Sequence, residues 1–342
     1  MAKISIPQIA KLAGVSIGTV DRALNDRAGI NPQTREKILR IAAEHDYRPN
    51  KLSKALAKNK KITLGVLTLP TQSPFTQDLI AAAQAAAAEL ADYGVNVNIV
   101  SLTEIRAELA VNAICQFMRK GCDGIAIEGI DNPAVVDAVD AAVDGGIPVV
   151  TFNTDLPDSR RLCYVGQDCF KSGKVAADLL CRFMGGRGEV LILHGSAKVP
   201  SHQARVDGFC EVVASDFPQI HIAAIRETID NEENAYRLTL SYLSENPKVT
   251  GIYVAATGSR GAADALLKLK KADTVSLVCN DIVPKTLEYL EKGVIDATIL
   301  QNPEQQGARP IQILFDYIFD GKKPENILNY TQIDVLTKSG IR

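Results

Sequence analysis

Planar polar side chains recur just after apolar runs in this 342-residue sequence, a placement that suits ligand binding better than bond making. Asn153 follows Thr151-Phe152, Asp281 follows Val278-Cys279-Asn280 and Gln301 follows Ala297-Thr298-Ile299-Leu300. Arg205 opens Arg205-Val206-Asp207-Gly208-Phe209, a little beyond the run ending near Leu193. Each of these side chains offers bidentate hydrogen bonds, the chemistry that vicinal hydroxyls require. Phe75, in Ser73-Pro74-Phe75, is suited to cover the apolar face of a sugar ring. Two patterns for catalysis are missing: there is no GxGxxG after the first strand and no GxxxxGK[ST]. Gly185-Gly186-Arg187-Gly188 precedes a strand and reads as a turn. His45, His194, His202 and His221 show no metal-ligand spacing, although His194 and His202 flank the loop that leads to Arg205. The seven cysteines form no CxxC pair, and their odd number argues against a disulfide framework. No catalytic residue, metal or cofactor is expected.

The strand ends that position these groups belong to a regular alternation. Ile62–Leu67, Val95–Val100, Gly124–Ile127, Pro148–Phe152, Val190–Leu193, Ile252–Val254, Val275–Val278, Ala297–Leu300 and a last run near Gln332–Leu336 read as strands. Helical patterns such as Leu79–Tyr93 and Ala134–Val143 lie between them. Continuous apolar strands alternating with helices predict parallel sheets covered on both faces. About 280 residues of this pattern suggest two doubly wound sheets, with ligand beyond the carboxyl ends of the strands. No apolar run reaches the roughly 18 residues of a membrane span. Met1-Ala2-Lys3-Ile4-Ser5 lacks the halves of a secretory signal, so a cytoplasmic protein is expected.

The first 61 residues differ in character. They hold 13 Lys+Arg against 5 Asp+Glu, a formal charge of +8, whereas the remainder holds 25 against 35, or −10. A basic head on an acidic body points to a polyanion partner for the head. Ser5-Ile6-Pro7-Gln8 reads as a helix start, and Gly14 stops that helix after about two turns. Ser16 caps a second helix with Val20, Ala23 and Leu24 inward, and Asn31-Pro32 announces a third. The first two, joined at Ala13-Gly14-Val15, make a helix-turn-helix.

These residues carry a resemblance. Ile9-Ala10-Lys11-Leu12-Ala13-Gly14-Val15-Ser16, Thr19-Val20-Asp21-Arg22-Ala23-Leu24-Asn25, Thr34-Arg35 and Tyr47-Arg48-Pro49-Asn50 resemble the head of the lactose/galactose repressor family. The resemblance implies that the second helix enters the major groove of operator DNA with Ile17, Gly18, Asp21 and Arg22 outward. Arg22 is the expected base reader, bonding O6 and N7 of guanine; the alternative is a surface arginine paired with Asp21. Relatives commonly place polar or aromatic groups at positions 17 and 18, so readout there is expected to be sparse and apolar. Ser16, Thr19, Asn25 and Thr34 suit phosphate oxygens. The stretch Asn50 to Ala57 is similar to the family's hinge helix. It is too short to be stable alone and is expected to order when paired with its dimer mate on DNA. There Leu56 wedges into the minor groove while Lys51 and Lys54 meet phosphates. The alternative is a plain linker.

The body resembles the type I periplasmic sugar-binding-protein fold of the family's sensor, in particular its ribose-type branch. Carried over by position are Phe75, Asn153, Asp168, Arg205, Asp281 and Gln301. Thr76, Thr154 and Thr257-Gly258-Ser259 depart from that branch, and there is no tryptophan to stack on a ring. The expected fold is α/β, a small all-α head followed by two doubly wound parallel-sheet lobes. The expected domains are residues 1–49 (head), 50–61 (hinge and linker) and 62–342 (sensor). Within the sensor, the N-lobe is about 62–166 and 302–330 and the C-lobe about 167–301 and 331–342. The resemblance implies a transcriptional regulator, acting as a homodimer without tetramers, whose operator affinity is switched by a sugar or cyclitol. A nucleoside or purine effector is the alternative, and an α/β enzyme or an exported sugar-binding protein are the rivals from other classes.

Overall fold

The computed structural model describes residues 4–24, 27–45, 47, 61–70, 74–196 and 199–341. The chain divides into two compact units, Met1–Lys60 and Lys61–Arg342.

In the first unit, α1 (Ile6–Ala13) begins where the Ser5 amide donates to Gln8 Oε1 at 2.8 Å. It ends at Gly14, whose φ of +71° is a left-handed conformation that a Cβ disfavours. The resulting turn brings Val15 N–H to the Ala10 carbonyl at 3.0 Å, and α2 (Ile17–Leu24) follows directly. Asn31 caps α3 (Pro32–Glu44) by accepting from the Gln33 amide at 2.9 Å. The three helices close over Ile9, Ala10, Ala13, Val20, Ala23, Ile38 and Ala42. Lys37 Nζ reaches from α3 to the Ala13 carbonyl at 3.0 Å, satisfying an acceptor that the end of α1 leaves open.

The second unit alternates strands and helices. Its elements are β1 (Ile62–Thr68), α4 (Pro74–Glu89), β2 (Val95–Ser101), α5 (Ala107–Arg119), β3 (Gly124–Glu128), α6 (Pro133–Asp144), β4 (Val149–Phe152) and β5 (Cys163–Gly166). Next come α7 (Cys169–Phe183), β6 (Gly188–His194), α8 (Pro200–Asp216), β7 (Ile220–Glu227), α9 (Glu232–Glu245), β8 (Val249–Val254) and α10 (Ser259–Leu269). They are followed by β9 (Ser276–Asn280), α11 (Thr286–Glu291), β10 (Ala297–Leu300), α12 (Pro303–Asp320), β11 (Leu328–Tyr330) and β12 (Asp334–Thr337). Two six-stranded sheets result, ordered β11-β5-β4-β3-β1-β2 and β12-β10-β9-β8-β6-β7. Every pairing is parallel except β10 with β12. Every residue of β3, β4 and β5 is buried, as sheets covered on both faces require.

Three strands lie outside the sequence expectation. β5 and β11 are only four and three residues long, too short for a pattern. β7 lies at the edge of its sheet and mixes Ile with His221, Arg226 and Glu227. The chain passes between the sheets after β5, after β10 and after β11. Gln167 Nε2 donates to the Leu300 carbonyl at 2.9 Å, and Thr331 Oγ1 to the Gln301 carbonyl at 3.3 Å, so two of these crossings are tied to the exit of β10.

Candidate functional site

The strand exits gather the polar groups on two walls. On the wall from the second sheet, α8 projects Arg205, 3% exposed, with Nη1 donating to the Ala255 carbonyl just past β8 at 2.9 Å. Its Nε has no hydrogen-bond partner. Burial works against the guanidinium charge, yet Cys169, Asp281, Tyr253 and Tyr164 prevail and hold its pKa above the ordinary arginine value. Asp281 leaves β9 at φ +68° and accepts from Gln301 Nε2 at 2.5 Å. Burial pushes its carboxyl above the usual range, against the pull of Arg205 and Gln301. Gln301 is held in turn by Gln306 Nε2, which donates to its carbonyl at 2.8 Å. Arg205, Asp281 and Gln301 therefore come together from three elements.

On the wall from the first sheet, Asn153 leaves β4 at φ +55° and donates from Nδ2 to Glu128 Oε1 at 2.6 Å. The other oxygen of Glu128 accepts from the Leu69 amide at 2.6 Å, so this buried carboxylate joins the exits of β1, β3 and β4. Burial raises the Glu128 carboxyl, and its two donors draw it down. Sequence reasoning missed Glu128, because an acid ending the run Gly-Ile-Ala-Ile-Glu has no distinguishing motif. Phe75 is half-buried in the first turn of α4. Asp168 serves the fold directly, since its carboxylate caps α7 by accepting from the Lys171 amide at 2.9 Å. Short polar residues tolerate left-handed backbone, so Asn153 and Asp281 serve their turns as well as the wall.

In the head, Ser16 Oγ accepts from the Thr19 amide at 3.1 Å and meets Thr19 Oγ1 at 2.8 Å, which starts α2. Ile17 is 56% exposed, Gly18 and Arg22 are exposed, and Thr34 is half-buried in the first turn of α3. Asp21 takes Arg27 as ion-pair partner at 3.1 Å. Asn25, Asn50, Lys51, Lys54 and Leu56 lie outside the described residues.

Residues 64–323 match the periplasmic binding protein domain family, and residues 5–50 match the bacterial regulatory proteins of the lacI family. The chain belongs to the lacI family. This lacI-family chain is similar over its whole length to the probable HTH-type transcriptional repressor ExuR of Bacillus subtilis. The two are 26% identical over 343 residues, covering 97% of each chain. It is 24% identical over 224 residues to the xylose/arabinose-binding protein XylF of Sulfolobus acidocaldarius, covering 61% of this chain and 55% of that protein. The solved structure of GanP, a glucose-galactose binding protein from Geobacillus stearothermophilus, aligns with a TM-score of 0.75 at 27% identity. That alignment covers 82% of this chain and 98% of GanP. The lacI-family chain is a DNA-binding regulator with a ligand-binding sensor domain, as its sequence leads one to expect. Among the described residues no helix is long and apolar enough to cross a membrane.

Proposed function

We propose that this cytoplasmic regulator responds to a small polyhydroxylated effector such as a sugar or cyclitol, and that its affinity for operator DNA changes as the effector enters between the two walls. The observation that carries this reading is the trio Arg205, Asp281 and Gln301, which sets planar donors and acceptors side by side around a buried guanidinium with Nε still unpartnered. Phe75, Asn153 and Asp168 complete the proposed effector contacts. The lobes divide at about 166, 301 and 330, so that effector contacts come from both.

On the DNA side, Arg22 reads a base edge and Ile17 and Gly18 lie along the groove, while Ser16, Thr19, Asn25 and Thr34 hold phosphates. A homodimer places two heads on two half-sites, and Asn50, Lys51, Lys54 and Leu56 form the hinge that meets the minor groove. Effector and operator sites are then coupled reciprocally. A change of about 100-fold in operator affinity requires roughly 2.7 kcal/mol of differential effector binding.

A thermal-shift screen of sugars, cyclitols and nucleosides tests the effector class, because a ligand that binds only the folded state raises the melting temperature. A sugar or cyclitol is expected to raise it. Stabilisation by nucleosides alone would replace the polyol reading with a nucleoside one.

A further inference from the structure

The turn between β7 and α9 places two consecutive non-glycine residues in the left-handed region, Ile229 at φ +55° and Asp230 at +49°. A β-branched residue there is a steric outlier, and such a conformation persists where neighbours over-determine it. The neighbours are present. Thr228 and Ile229 N–H donate to the His194 and Gly195 carbonyls, each at 2.8 Å. Thr228 Oγ1 donates to the Thr257 carbonyl at 3.0 Å, and Asn234 Nδ2 to the Thr228 carbonyl at 3.1 Å. The exits of β6, β7 and β8 are thereby tied, on the same wall as Arg205. The Asp230 carboxylate comes to lie over Gly195, where a Cβ would stand 2.3 Å from Oδ1.

Asp230 is exposed on this wall, beside Thr257. Crowding by the loops raises its carboxyl, while Thr257, Arg205 and His194 draw it down. His194 stands beside it, 5% exposed, with Nδ1 lacking a partner. His202 Nδ1 accepts the Ser196 amide at 3.2 Å, and burial pushes its pKa down to about 3, so the ring is neutral near pH 7. Among the described residues of the two walls, the acids Glu128, Asp230 and Asp281 outnumber the guanidinium of Arg205, which already faces Asp281.

We propose that Asp230, flanked by His194, is a specificity-determining contact that takes a hydrogen-bond donor of the effector, a hydroxyl or an ammonium, and turns away carboxylated and phosphorylated analogues. This rests on the reading of the cleft as a polyol site. A carboxylate in the effector gains Arg205 but meets these acids as well, and a site discriminates as much by what it repels as by what it attracts.

Isothermal titration of the full chain at one pH with D-arabinose, D-galactose and D-glucose, and with the uronic acid and 2-amino forms of the two hexoses, tests the proposal. At least one parent sugar is expected to bind. Its amino form, or the parent itself, is expected to bind about tenfold or more tighter than a uronate. Asp230→Asn, isosteric and exposed, should weaken the parent sugar and bring the uronate within about threefold of it. The wild-type comparison stands even if the variant folds poorly. A uronate binding as tightly as any neutral sugar to the wild type overturns the proposal, as does a ratio unmoved by Asp230→Asn while sugar binding persists. In both cases the polyol reading survives. Failure of every one of these sugars to bind, together with no stabilisation by any sugar or cyclitol in the thermal-shift screen, removes the polyol reading, and this proposal with it.

Discussion

A buried guanidinium needs an acceptor or an anion for each N–H it hides from water, and Arg205 meets that need only in part. One nitrogen reaches the Ala255 carbonyl, Asp281 supplies the nearby charge, and Nε has no partner. A ligand hydroxyl that completes this set gains a charge-assisted bond in a dry setting. Arg205→Ala and Asp281→Ala are each expected to cost about 1–3 kcal/mol of effector binding, roughly 5- to 150-fold, through the groups left unpaired. Neither residue lies in the head, so DNA binding without effector should persist in both variants. Calorimetry with the effector found by screening, and fluorescence anisotropy with duplex DNA, check the two halves of this expectation. An unchanged effector response in either variant would remove that residue from the site. At this scale the sequence was legible where a planar polar residue directly follows a strand, as with Asn153, Asp281 and Gln301. It was silent on Glu128 and Asp230, single acids whose meaning comes from loops that fold over them. Asp168 shows the converse, for a residue carried over as an effector contact is also the cap that α7 needs.

Arg205 is placed by a helix contact as much as by its own bonds. A Cβ on Gly173 of α7 would lie 1.9 Å from the Arg205 carbonyl, and a Cβ on Gly208 of α8 would lie 2.0 Å from the Phe170 carbonyl. The two helices thus meet backbone to backbone, and α8 cannot keep its present position against a bulkier α7. Gly173→Ala should therefore lower stability by about 1–3 kcal/mol, the usual cost of overpacking, and move Arg205 with α8. Thermal melting reads the first effect and effector titration the second. A variant that melts lower yet binds effector with wild-type affinity would show that Arg205 is positioned independently of this crossing. The long elements were legible where their apolar runs and caps agree, as at Asn31-Pro32. β5, β7 and β11 were not, since short strands and edge strands take their identity from neighbours across the sheet rather than from their own pattern.

Charge and compactness change at the same place in the chain. The first 61 residues carry a formal charge of +8 and the rest −10, and the two compact units part between Lys60 and Lys61. Attraction to the phosphate backbone therefore falls to the head alone, because an acidic body is repelled by the same polyanion. The body has its own cores, on both faces of the second sheet and against the first, and is expected to fold without the head. Residues 61–342 expressed alone should bind effector with the affinity of the full chain and pass through DNA-cellulose at low salt. The full chain should be retained, and its affinity for duplex DNA should fall steeply with salt as counterions displaced by the lysines and arginines return. If a dimer neutralises about 6–10 phosphates, the loss between 50 and 200 mM salt is about 10³- to 10⁵-fold. Retention of the body alone would place a DNA contact outside the head. A flat salt response of the full chain would contradict a phosphate-bound head altogether, since a surface that neutralises no phosphates releases no counterions and has no electrostatic term for salt to weaken.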